Sequence, residues 1–109
     1  GNRQSQASST YRMNRRVFFH PAAEEEVNEA LEWYAERSLI AARTFVQEVS
    51  YVVRLAVNSR QTWPLTAENT RRIVFPRFPF QLVFRAKDDE IEIAAVAHQR
   101  RRPSYWLDR

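Results

Sequence analysis

Cysteine is absent, and glycine occurs only once, at Gly1. Without thiols the chain has neither a disulfide framework nor a thiolate metal site, which agrees with a reducing compartment such as the cytoplasm. A lone terminal glycine excludes the glycine-rich phosphate loops of P-loop and dinucleotide-binding proteins. Two histidines, His20 and His98, are too few for catalytic zinc unless distant carboxylates join them, so no metal and no cofactor is expected. A Ser-His-Asp nucleophile has no recognisable setting. No apolar run approaches the roughly 18 residues of a membrane span. The polar opening GNRQSQASSTYR lacks the apolar stretch of a secretory signal. Lysine is nearly missing too: sixteen of the seventeen basic residues are arginine, Lys87 being the exception.

What is present fits one domain of 109 residues or fewer, a size that one hydrophobic core serves comfortably. Residues 1–14 read as a disordered leader or an artificial extension, with Met13 as the expected natural start, ahead of a single domain over 15–109. Charge divides the domain. Residues 21–50 hold seven acids against Arg37 and Arg43, a net −5, whereas residues 60–109 hold ten bases against six acids, a net +4. Arginine forks engage carboxylate or phosphate through paired hydrogen bonds, so the basic half suits an anionic partner. A compositional bias toward arginine would leave the same trace.

The elements follow from local signals. Residues 15–20 (RRVFFH) are rich in β-formers and stop at Pro21, which opens a helix where its missing N–H costs nothing. Glu24, Glu25 and Glu26 complement the positive helix end and read as a solvated helix start. Val27, Ala30, Leu31 and Tyr34 make the apolar stripe of this helix, to about Arg37. Ser38 is a candidate N-cap for a second helix over about 39–59, with a stripe of Ala42, Phe45, Val46, Val49, Val52, Val53 and Ala56. So short a joint predicts a helical hairpin. Residues 60–69 read as a loop around Pro64. Strands follow over 71–75, 80–85 and 90–98, joined by Pro76–Pro79 and Lys87–Asp89, turns too short for parallel pairing. Phe80, Leu82 and Phe84 share one face, and strict alternation places Ile91, Ile93, Ala95 and Ala97 together. The expected fold class is α+β, in the order β-α-α-β-β-β, with the hairpin packed on a small antiparallel sheet.

The candidate chemistry lies in the sheet half. Arg71, Arg72 and Arg77 sit on or beside the first strand of the meander, and His98 ends its last strand ahead of Arg100, Arg101, Arg102, Tyr105 and Trp106. Antiparallel pairing can bring these stretches onto one surface. A metal-free ribonuclease would use such groups to move protons and to stabilise charge at a scissile phosphate, with Tyr105 or Trp106 stacking a base. Equally, Arg100–Arg102 form a solvated basic tail and Tyr105 and Trp106 pack back on the helices. Trp33, Tyr34 and Trp63 read as core or hairpin packing, although exposed helical aromatics would mark a partner groove.

Fragments FHPAAEEEVNEALEWYAE, ARTFVQEV, TRRIVFPRFPFQLVFR and IEIAAVAHQRRRPSYW, in that order over about residues 15–107, resemble the RelE/ParE superfamily of toxins from type II toxin–antitoxin (plasmid stabilisation) modules. The resemblance implies a small cytoplasmic bacterial toxin without membrane attachment, neutralised by the C-terminal segment of a cognate antitoxin, as a homodimer or a hetero-oligomer with it. RelE-like members cleave ribosome-bound mRNA, and ParE-like members poison DNA gyrase by protein contact. On the nuclease pattern the catalytic set would be Arg72, His98, Arg100 and Tyr105. Val74 and Gln81 stand where that pattern expects further cations, which favours the ParE-like branch. One missing charge-stabilising donor costs about 2.7–4 kcal/mol of transition-state stabilisation. Partner contacts would fall to Arg71, Arg77, Arg100, Arg101, Arg102 and Trp106. A degenerate module member that only binds antitoxin is the remaining alternative.

Overall fold

A computed structural model describes residues 16–58, 65 and 69–109. The expectations for residues 1–14 and for Trp63 lie outside the described residues. Strand β1 (Arg16–Phe19) leads into helices α1 (Pro21–Arg37) and α2 (Leu39–Asn58). Strands β2 (Arg71–Val74), β3 (Phe80–Lys87) and β4 (Glu90–His98) form the meander, and a terminal 3-10 turn spans Tyr105–Asp108.

Local capping explains why the helices begin and end where they do. Pro21 stands at the first turn of α1, and the His20 Nδ1 accepts the Ala22 N–H at 3.0 Å. Ser38 serves both helices: its N–H closes α1 on Tyr34 O at 2.8 Å, and its Oγ accepts Ala41 N–H at 3.1 Å to open α2. One residue therefore reverses the chain, and the two apolar stripes face the sheet together.

The sheet runs β1-β4-β3-β2. The β2–β3–β4 meander is antiparallel, as its short turns require, but β1 pairs parallel to β4, with Val17 opposite Ile91 and Phe19 opposite Ile93, so the sheet is mixed. One face packs on the helices through Phe45 and Val52 of α2 and Ile73, Leu82, Phe84 and Ile93 of the strands. Val46, placed in the α2 stripe by its spacing, is 44% exposed instead.

Alternation along β4 breaks at Ala94. Val83 pairs with Ala95 but Phe84 pairs with Ile93, so Ala94 is an extra residue, a β-bulge. The bulge shifts the phase by one. Ile91 and Ile93 face the helices, but beyond the bulge it is Val96 and His98 that do so, while Ala95 and Ala97 turn to the far face. Their small side chains leave room there for Trp106, which is 3% exposed and packs with Val83, Ala94, Ala95 and Ala97. Trp106 therefore covers the sheet face away from the helices rather than packing back on them.

Candidate functional site

β1 stops pairing at Phe19, where the next residue, His20, donates its N–H to Ile93 O at 2.9 Å. Past that point no described strand borders the outer edge of β4, and its backbone groups need other partners. Side chains supply them. Glu26 Oε1 accepts Val96 N–H at 2.9 Å, and the Arg109 guanidinium donates to Ala94 O at 2.9 Å. Arg109 also pairs with Glu26 Oε2 at 3.0 Å, where Tyr105 Oη–H donates at 2.6 Å. Glu26 is thus the fastening point of the C-terminal segment. The solvated helix start expected for the three glutamates holds for Glu24 and Glu25, both exposed, and fails for Glu26.

Burial first, then the hydrogen bond to Glu26 and its negative charge, push the Tyr105 phenol well above the ordinary tyrosine range; Arg101 and Arg109 pull the other way. Tyr105 is accordingly a neutral hydrogen-bond donor near neutral pH. The guanidinium of Arg101 lies over its ring, 3.9 Å from the centroid. Ser104, at φ 66, turns the chain into this terminal segment; it is one of three described non-glycine residues with positive φ.

Between α1, the start of β3, the end of β4 and the terminal segment lies a groove of about 340 Å³. Its walls include Trp33 and Tyr34 from α1, Phe80 from β3, His98 from β4, and Arg101 and Tyr105 from the tail. Trp33, expected in core or hairpin packing, is 52% exposed; it meets Tyr34 edge-on at 5.1 Å and carries Arg37 3.7 Å above its ring. His98 stands edge-on to Phe80 at 5.1 Å, and its Nδ1 accepts Arg100 N–H at 3.0 Å. That bond leaves Nε2 as the remaining polar atom of the ring. A second fastening holds the turn that leads into Phe80. Glu48, 4% exposed on α2, accepts the N–H groups of Arg77 at 2.8 Å and Phe78 at 3.1 Å, and thereby fixes the Pro76–Pro79 turn.

A family model described as the ParE toxin of the type II toxin–antitoxin system parDE matches residues 17–103. The chain belongs to the ParE toxin family. A solved structure from the chromosomal ParDE toxin–antitoxin system of P. aeruginosa has the same fold, with a TM-score of 0.67 and 19% identity, over 80% of this chain and 98% of that one. No curated protein matches the chain.

In this ParE toxin the residues singled out as a nuclease set do not converge. Arg72 is exposed and pairs across the sheet with Val83, whose side chain lies on the far face, whereas His98 lines the groove on the helix side. Arg100 is exposed just beyond β4, and the Tyr105 hydroxyl is held by Glu26. Beside Arg72 the register sets Val74 against Gln81, and Gln81 against Ala97, so this stretch of the far face carries one cation among neutral side chains. Of the residues expected at a partner surface, Arg100, Arg101 and Arg102 are exposed together. Arg77 keeps 70% of its side chain exposed while its Nε meets Glu48 at 3.3 Å. Arg71 is half-buried at the start of β2, and Trp106 is buried in the second core. Among the described residues no three His, Asp or Glu side chains gather as metal ligands, and no helix is long and apolar enough to cross a membrane.

Proposed function

We propose that this ParE-family toxin acts in the cytoplasm, through the single domain expected over residues 15–109, by binding DNA gyrase, and that a cognate antitoxin neutralises it by covering its surface. The observation that carries the reading is the separation of Arg72 and His98 onto opposite faces of the sheet. Phosphodiester cleavage needs its proton-transfer and charge-stabilising groups within hydrogen-bond reach of one phosphate. The neutral Tyr105 phenol, committed to Glu26, is poorly suited to removing a proton. A protein–protein mechanism asks for none of this.

The exposed run Arg100, Arg101 and Arg102 supports an acidic stretch in the antitoxin where it meets the end of β4. The outer edge of β4 past Phe19 is closed by Glu26 and Arg109, which leaves β1 and β2 as the sheet edges for any added strand of a partner. Induced expression separates the readings. Gyrase poisoning gives filamented cells with a DNA-damage response while translation continues. An abrupt arrest of translation, with cleaved mRNA, would replace this reading with the ribosome-dependent nuclease.

A further inference from the structure

The outward faces of the two helices differ in kind. On α1 the exposed residues include Glu24, Glu25, Glu29, Glu32 and Glu36. Its one base, Arg37, leans over Trp33 and meets Glu36 at 3.5 Å. On α2 the single acid, Glu48, is buried, so the exposed face carries Arg43 and Arg54 and no carboxylate. Neither arginine has an ion-pair partner among the described residues. The same face is apolar: Leu39 and Ile40 are 69% and 76% exposed, and Val46 and Tyr51 are exposed with them. Leu39, Arg43 and Val46 fall at i, i+4 and i+7, one flank of the helix. Large apolar side chains gathered in water on one helix mark a surface that another molecule covers. None of these α2 residues lines the α1 groove.

We infer that the molecule covering the α2 face is a second copy of this chain, with α2 of each copy laid on the outer flank of α1 of the other. The inference is independent of the gyrase reading. Charge complementarity selects the arrangement. Two hairpins can meet face to face about a two-fold axis in two ways. An axis across the helices sets α1 on α1, acid against acid, and α2 on α2, arginine against arginine, which costs affinity. An axis along the helices sets α1 on α2 of the partner, and every such contact occurs twice. Facing helices then run antiparallel, as neighbours do in an up-and-down four-helix bundle. Rotation about that axis leaves heights along the hairpin unchanged. Arg43, five residues beyond Ser38, therefore stands level with Trp33, five residues before it, and within a turn of Glu32 and Glu36. Arg54, sixteen residues beyond Ser38, stands level with Ala22 and within a turn of Glu25. Both unpaired arginines thus meet carboxylates without any sliding of the helices. The footprint is about 25 Å long and two helices, about 20 Å, wide. That is roughly 500 Å² per copy, the low end for a specific interface, so the dimer is weak and concentration-dependent.

Sedimentation equilibrium of the purified full chain, with no other protein present, tests this over about 1–300 μM. The expected result is a passage from monomer to dimer mass within that range, weaker as salt rises. Ile40→Glu combined with Val46→Glu, both at exposed positions, is expected to weaken association about tenfold or more. Arg43→Glu is expected to weaken it about threefold or more at low salt, and adding Glu32→Arg to restore it. Circular dichroism confirms that each variant is folded. A monomer at every concentration would overturn the inference, and so would wild-type association in the Ile40 and Val46 variant. Association that tightens in Arg43→Glu would mean that arginine faces arginine, and association that strengthens with salt would leave no place for the ion pairs; each overturns it. A folded Arg43→Glu that Glu32→Arg fails to rescue would overturn the pairing of α1 with α2.

Discussion

Replacing Glu26 by alanine would withdraw an acceptor from Val96 N–H, from Tyr105 Oη–H and from the Arg109 guanidinium at once. Both partners of the Glu26–Arg109 pair are shielded, at 11% and 15% side-chain exposure. Breaking such a pair from one side leaves an uncompensated charge, a cost of about 3–5 kcal/mol, whereas a hydrogen bond to a charged group is worth about 1.5–3 kcal/mol. Glu26→Ala is therefore expected to lower urea-unfolding stability by about 3–5 kcal/mol, and Glu24→Ala, two residues earlier and exposed, by under about 0.5 kcal/mol. Equal effects would contradict the fastening role. Nothing local in the sequence distinguishes the three glutamates, because the partners of Glu26 lie 70 to 83 residues away. Glu48 escaped notice for the same reason, its contacts being 29 and 30 residues distant.

At the scale of elements, the helices and strands were legible because their signals are local: Pro21 at a first turn, Ser38 between two stripes, Phe80, Leu82 and Phe84 at every second position. The bulge was not. Around Ala94 the strand reads Ala-Ala-Val-Ala, and alanine sits as readily on either face, so the pattern carries no mark of a phase change. That silent shift decides the site, for it moves His98 into the groove and clears the far face for Trp106. The terminal turn escaped as well, since its docking depends on Glu26. Its stability should respond to alkali. The folded-state pKa of Tyr105 is raised, so its contribution is complete below the ordinary tyrosine value of about 10 and declines as pH rises past it, where the unfolded chain ionises first. Burial raises Tyr34 in the same direction. Chemical-denaturation midpoints measured from neutral pH to above pH ~10 should therefore fall less steeply in Tyr105→Phe than in the wild type. An identical slope in the two proteins would contradict the docking of the phenol.

For the whole molecule, acidic helices stand against a basic sheet half, and both halves border the α1 groove. Family membership was legible from the order of fragments, which spans nearly all the residues that the ParE model matches. The disposition of Arg72 against His98 was not, since it depends on which face each strand residue takes after the bulge. The claim at the centre is that this toxin acts by contact with gyrase and does not cut RNA. Supercoiling by purified gyrase, titrated with the purified toxin beside a parallel reaction of ribosome-bound mRNA, addresses it directly. The expected result is dose-dependent loss of supercoiling, reversed by antitoxin, with the mRNA intact. Cleaved mRNA that Arg100→Ala protects, with supercoiling unaffected, would contradict it.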